Sequence, residues 1–216
     1  MKFINLIKTM ALALVFYVPT SWAANPVDLN IKYSSNYLMP AYVHFKADGR
    51  AYSVVAKINI PLYNIVFTSS GWQDPQKFSM LNYKDVRNGK PYAVANIDNK
   101  NIEYGKIKDG LEKVALDLPT FDLFTMAFQL SYFDQLPPSF QITNGKKLYP
   151  MPNVKVQRSE KKLTNNGQQV TEITYKFRTG TKDIMVKKFA GEQFPRYIQY
   201  VRDGDNYELE FSEIVK

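Results

Sequence analysis

Apolar and polar residues alternate along most of this chain. Val27, Leu29, Ile31 and Tyr33 alternate with Asp28, Asn30 and Lys32. The same period of two puts Tyr52, Val54, Ala56, Ile58 and Ile60 on one side of a second segment. Ile173, Tyr175 and Phe177 share one side of a third, and Tyr207, Leu209 and Phe211 one side of a fourth. Successive side chains of a β-strand point to opposite faces, so each segment predicts a strand with one apolar and one wet face. Turn signals lie between the strands. Six of the ten glycines follow Asp or Asn, at Asp48-Gly49, Asn88-Gly89, Asp109-Gly110, Asn144-Gly145, Asn166-Gly167 and Asp203-Gly204. Such dipeptides accept the positive φ of tight hairpins. Together these features predict an antiparallel sheet with one face covered. An outer-membrane barrel is disfavoured: its lipid-facing strands need about ten residues each and enclose a polar lumen. Most strands here read shorter, and their polar face is densely charged.

One segment breaks the period of two. From Thr120 to Phe133 (TFDLFTMAFQLSYF), Asp122, Thr125 and Gln129 fall at i, i+3 and i+7, a single narrow polar stripe. Apolar residues fill most of the remaining circumference. Pro119 and Thr120 suit a helix start, Asp122 sits near the positive end of the dipole, and Pro137-Pro138 stops the element. So wide an apolar arc predicts a helix lying on the apolar face of the sheet, with Thr125 and Gln129 turned to solvent. The expected fold is therefore mostly β: a strongly curved antiparallel sheet, a closed or half barrel, with one main helix packed against its apolar face.

The first residues change the picture of where the protein works. Lys2 and Lys8 precede the uncharged run Met10 to Val18, Pro19 and Thr20 break it, and Ser21-Trp22-Ala23 offers small residues at a cleavage site. This is the layout of a secretory signal peptide. The run is too short for a membrane span, which needs about 20 apolar residues. Residues 1–23 are read as a signal peptide cut after Ala23, and 24–216 as a single β-rich domain without a transmembrane segment. Without Lys2 and Lys8, the 28 basic and 20 acidic residues leave a net charge of +6. The charges are interspersed, and the export signal argues against nucleic acid as a partner. There are no cysteines, which removes thiolate metal sites, cysteine nucleophiles and lipidation at the cleavage site.

Little in the chain points to catalysis. His44 is the one histidine and lies in an apparent strand, Tyr42-Val43-His44-Phe45-Lys46, where a structural role is expected. No carboxylate spacing suggests a metal, and no cofactor motif occurs. The carboxylate pairs Asp203 and Asp205, Glu208 and Glu210, and Asp117 and Asp122 are explained by a turn, a solvated strand face and a helix start. Aromatics are the more informative class, with 15 Tyr, 14 Phe and 2 Trp. Tyr33, Tyr37, Tyr42, Phe45, Tyr52, Tyr63 and Phe67 crowd the first sheet segment. Phe124 and Phe128, one helical turn apart, point the same way. An aromatic sheet under an apolar helix closes as a solid core or leaves a cavity for an acyl chain. Tyr52, Phe67, Phe124 and Phe128 are the candidate lining of such a cavity.

Three stretches carry a resemblance. They are Ser69-Ser70-Gly71 after a strand, Asp122 to Leu130 (DLFTMAFQL), and Phe140 to Tyr149 (FQITNGKKLY), followed by Phe194-Pro195-Arg196-Tyr197-Ile198 and Asp203-Gly204 near the end. From about Tyr52 onward the chain resembles the domain of unknown function 3108 family of Gram-negative periplasmic proteins. It departs from the family at Thr125, where Ser is usual, and at Ser131, where a basic residue is. The order of elements is also similar to that of the periplasmic lipoprotein carriers and receptors of the Lol pathway, which hold acyl chains inside a curved sheet. The family has no agreed activity; the resemblance to it implies a periplasmic protein, and the Lol-like order of elements implies a lipid or other apolar ligand. With no catalytic motif, the leading expectation is a periplasmic protein without enzymatic activity that binds a lipid, another apolar ligand or an envelope component. The alternatives are an envelope module with a solid core that binds a protein partner and, third, a carboxylate-dependent hydrolase. N-terminal sequencing of the exported protein should begin Ala24-Asn25-Pro26; a full-length chain held in the inner membrane would overturn the expected processing.

Overall fold

A computed structural model of the chain describes residues 26–37 and 39–216. The expected signal peptide and its cleavage site lie outside them. Eight strands run first as a meander: β1 (Val27–Ser35), β2 (Ala41–Asp48), β3 (Ala51–Ile60), β4 (Tyr63–Asp74), β5 (Lys77–Arg87), β6 (Lys90–Ile97), β7 (Asn101–Lys106) and β8 (Glu112–Ala115). The chain then leaves this sheet through β9 (Thr120–Phe121), helix α1 (Leu123–Phe133), β10 (Phe140–Thr143) and β11 (Leu148–Met151). A second meander follows: β12 (Gln157–Asn165), β13 (Gln168–Thr179), β14 (Lys182–Phe189), β15 (Tyr197–Arg202) and β16 (Asp205–Val215). β16 pairs antiparallel with β1, which fuses both meanders into one sheet of 13 strands, from β12 at one edge to β8 at the other. β9, β10 and β11 form a separate three-stranded sheet, with β9 parallel to β10.

The predicted alternation is observed over most of its length, but Ile60 at the end of β3 and Tyr207 near the start of β16, expected on the apolar faces, are exposed. β2 reads buried at Ala41, Val43, Phe45 and Ala47 and more open between them, and Ile173, Tyr175 and Phe177 are buried along β13. The helix differs at its start. Thr120 and Phe121 are not helical but pair with Gln141 and Ile142 of β10. The reason is Asp122, whose carboxylate accepts from the N–H groups of Phe124 and Thr125 and so fixes the N-cap at that residue.

α1 touches β14 on one side and β3 and β5 on the other. β14 and β5 are seven positions apart in the sheet, so a flat sheet would hold them more than about 30 Å apart at ~4.8 Å per strand. A helix with its side chains is only about 10–12 Å across. The sheet therefore curls round the helix. It does not close: the pairing ladder ends at β12 and β8, which do not pair with each other. β12 exposes Arg158, Glu160, Lys161 and Lys162, a charged edge that discourages further strand addition.

The interior is aromatic and filled. Phe45 on β2 stacks 4.3 Å from Phe128 of the helix, centroid to centroid, and 5.9 Å from Phe78 on β5. Met126, Ala127, Phe128 and Leu130 are fully buried. At the helix C-terminus Asp134 adopts a left-handed conformation and its N–H returns to the Leu130 carbonyl. The Lys188 ammonium, itself buried, donates to the Ser131 carbonyl at 2.6 Å and to Asp134 at 2.8 Å, while the Tyr175 hydroxyl donates to the same carboxylate. Burial would raise the Asp134 carboxyl, but Lys188 and Tyr175 outweigh it and hold it below its ordinary value.

Because neighbouring strands run in opposite directions, the turns after β1, β3, β5, β7, β13 and β15 all fall at one end of the sheet, where the helix also starts. That rim gathers Tyr37, Tyr42, Ile60, Leu62, Ile107, Leu111 and Tyr207, most of the large apolar residues left exposed; Trp72 and Ile214 lie toward the other end. Leu62 is fully exposed and has φ 64°, whereas comparable turns use Asn88, Asn166 and Asp203 with φ of 48°, 50° and 53°. A leucine in that region strains its Cβ against the backbone by about 1–2 kcal/mol. Leu62→Asn should therefore raise stability to denaturant by up to about 1 kcal/mol; a loss on urea titration would mean that this leucine packs against something within the molecule.

Candidate binding pocket at the start of the helix

The polar stripe of the helix faces inward. Thr125 and Gln129, expected in solvent, are fully buried, and Asp122 nearly so. The sheet wraps round so much of the helix that no side is left for water, and each polar group meets a partner instead. The Thr125 hydroxyl donates to Asp122 and shares a 2.7 Å hydrogen bond with Ser69 on β4. Gln129 accepts from the Phe78 N–H at 2.7 Å and donates to the carbonyls of Gln76 and Gln135 at 3.2 and 3.1 Å, tying the β4–β5 turn to the chain beyond the helix. Tyr52 is buried beside this cluster, its hydroxyl close to those of Ser69 and Thr125. Burial pushes that phenol well up, with the charge of Asp122 adding to the effect, so it stays neutral.

The four candidate lining residues separate into two pairs. Tyr52 packs 4.5 Å from Phe78 and Phe128 stacks on Phe45, so both belong to the solid core. Phe67 and Phe124, 6.5 Å apart, both line a pocket of about 380 Å³ that opens beside the helix start at the apolar rim. Leu123 and Ile142 complete its apolar floor. Tyr83, Tyr149, Tyr200 and Tyr207 form walls, and Asp85, Arg87, Asp122, Lys146 and Arg202 bring charge to it. Larger hollows of about 670, 520 and 500 Å³ lie elsewhere on the sheet, lined largely by polar or charged residues such as Lys176, Arg178 and Asp183 in the first.

Each charged group has a local cause for its position. Asp85, buried on β5, is gripped by the Arg87 guanidinium through contacts of 3.0 to 3.2 Å, and Arg87 lies 3.8 Å over the Tyr92 ring. The hydrogen bonds that Arg87 donates to Asp85 push its pKa further up. Lys146 follows the Asn144-Gly145 turn. Gly145, at φ 76°, packs so close to Tyr83, Ala93 and Val94 that an added Cβ would sit 3.0–3.1 Å from them; this fit holds the turn against β5 and β6. Arg202 closes β15, with its guanidinium carbon 5.3 Å from the Tyr149 ring centroid. Burial works against its charge, but Tyr149, Tyr200 and Asp203 more than offset it and raise its pKa. Its Nε is buried without a hydrogen bond, 3.5 Å from the Asp203 carboxylate. Burial also raises the phenols of Tyr83 and Tyr200, which remain donors at neutral pH.

His44 lies on the outer face, where its Nε2 is 2.7 Å from Asp28, and this hydrogen bond lowers the Asp28 pKa. Glu208 of the sequence-level carboxylate pairs accepts from Asn206 and Gln199, and Asp203 from Thr181. Asp85 and Asp122 line the pocket at the helix start together, while Glu172 and Glu210 share one of the polar hollows and Asp109 and Glu112 another. Among the described residues no group of three His, Asp or Glu is placed to hold a metal ion, and no helix is long and apolar enough to cross a membrane.

No family model matches this chain, and no curated protein matches it. Three alanine variants test the helix orientation by denaturant unfolding. Phe128→Ala should cost about 3–5 kcal/mol, as for a fully packed ring, and Phe124→Ala less because part of that ring borders the pocket. Gln129→Ala should cost about 1–3 kcal/mol, since it strands the buried Phe78 N–H. A neutral Gln129→Ala would contradict the inward-facing stripe.

Proposed function

We propose that the protein is a non-catalytic component of the cell envelope, exported to the periplasm, that holds a lipid-like ligand in the pocket at the start of α1. The observation that carries this reading is the pocket itself: about 380 Å³, with Phe67, Leu123, Phe124 and Ile142 as an apolar floor, open at the end of the sheet. Its size and its mixture of apolar walls with a few polar groups fit a small-molecule site. The position of the mouth adds support. Ile60 and Leu62 lie exposed on the same rim, and an exposed apolar cluster marks a surface that meets lipid or another molecule. In this reading the ligand does not lie deep beneath the helix, where Phe128 and Tyr52 are packed.

Two other classes each have one observation in their favour. The filled interior together with the exposed rim suits an envelope module that binds a protein partner. The meeting of Asp85 and Asp122 in one pocket suits a carboxylate hydrolase. Against the hydrolase, Asp85 is held by Arg87, and the Asp122 oxygens are taken by the helix start. Titration with a fluorescent long-chain fatty acid separates the readings. Saturable uptake at one site per chain, abolished by Leu123→Trp, which fills the pocket, is the expected result. No uptake by a folded protein, or uptake that Leu123→Trp leaves intact, would overturn the pocket as a ligand site.

A further inference from the structure

We infer that the pocket selects an acid: an amphiphile whose head is a carboxylate or a phosphate, seated between Lys146 and Arg202. This rests on the reading of the pocket as a ligand site and adds the chemical class of the ligand.

Of the charged groups lining the pocket, Asp85 and Arg87 neutralise each other at 3.0–3.2 Å. Asp122 keeps its charge, but both its oxygens are engaged by the Phe124 and Thr125 N–H groups and the Thr125 hydroxyl, at the positive end of the helix dipole, so it is not free to pair with a cation across the pocket. Two cations are left without a close carboxylate partner. Lys146 stands 5.9 Å from the Tyr92 ring and enters no ion pair among the described residues. Arg202 has the exposed Asp203 as its one carboxylate neighbour, 3.5 Å from its Nε and too loosely placed for a hydrogen bond.

Taking water from a charged donor without giving it another acceptor is costly. A neutral lipid entering the pocket would strip water from Lys146 and the rest of Arg202 and return nothing. An acidic head supplies what is missing: a guanidinium offers parallel N–H groups matched to the oxygens of a carboxylate or phosphate, and the Lys146 ammonium adds a point charge. Tyr200, kept protonated by burial, lines the same wall as a further donor. The apolar floor at Phe67, Phe124 and Ile142 receives the tail.

The test is competition for the pocket on the full-length mature protein, with the uncharged dye Nile red as reporter. Laurate, dodecyl phosphate and dodecanol share one tail and differ in the head. The two acids should displace the dye at concentrations lower than dodecanol by about tenfold or more, the gain expected from hydrogen bonds to charged groups. In Arg202→Gln and in Lys146→Gln the ratio of acid to alcohol should fall toward one, and the alcohol in the same sample corrects for any general loss of binding. If laurate outperforms dodecyl phosphate, the head is a carboxylate; the reverse order makes it a phosphate. Equal displacement by acids and alcohol in the unaltered protein would overturn the inference while leaving the pocket reading intact. A preference that survives both substitutions would overturn it too, by placing the acid elsewhere. Displacement by inorganic phosphate alone as effective as by dodecyl phosphate would reduce the site to a simple anion site and overturn the amphiphile. If dodecanol and both acids all fail to displace the dye, the pocket reading falls and the inference with it.

Discussion

A helix with polar side chains and no wet side sets the terms for the whole molecule. Asp122, Thr125 and Gln129 run down one stripe of α1, and all three are buried. An unpaired polar group in such a place costs about 1–3 kcal/mol, so each must be met by a specific partner. The sheet supplies them: Ser69 on β4 for Thr125, and the Phe78 N–H on β5 for Gln129. Hydrophobic burial alone would let the helix slide or rotate on an aromatic surface. The hydrogen bonds fix one rotation and one height, because a shift of one residue along the helix breaks them together.

The opposite end is fixed by different means. Lys188 and Tyr175, on β14 and β13, hold the last turn through the Ser131 carbonyl and the Asp134 carboxylate. The first turns of the helix are thus anchored to the meander that starts with β1, and the last turn to the meander that ends with β16. With both halves pinned to one short rod, the sheet must curl, and its rim turns must converge at the helix start. The pocket is a product of that convergence. Arg87, Lys146 and Arg202 come from three hairpins far apart in sequence, and they share a wall because the helix draws those hairpins together.

Much of the fold is legible in the sequence because it rests on local rules. Alternation in Val27 to Tyr33 or Ile173 to Phe177 is decided by the pleat, and Asx-Gly turns by backbone sterics. The helix position was legible from its period, but not its rotation. Amphipathic reasoning assumes that a polar stripe finds water, and here the stripe finds Ser69 and Phe78, which no local pattern announces. The first turn departs from the periodic pattern for a similar reason: Thr120 and Phe121 reach β10 across twenty residues, and pairing at that range leaves no periodic mark. For the pocket, aromatic content led to Phe67 and Phe124 but equally to Tyr52 and Phe128, since composition does not separate a lined cavity from a filled one. A signal for the cations was present. Arg87-Asn88-Gly89, Arg202-Asp203-Gly204 and Asn144-Gly145-Lys146 each set a basic residue against an Asx-Gly turn, which is where a hairpin rim must be.

The joint between β1 and β16 bears on how the chain reaches this state. Asn30 aligns with Val215 and Ser35 with Leu209, so the first strand is completed by the last. As the chain is made, the early meander emerges with one side of β1 bare, showing unpaired backbone groups beside Ile31 and Tyr33. Closing that gap waits for about 180 residues to follow, and contacts at such separation form slowly. In the interval the open edge is a template for any passing strand, including another copy of the same chain. The geometry that gives the finished sheet its continuity therefore makes the newly made chain dependent on a holding factor, or on speed, until its final strand arrives.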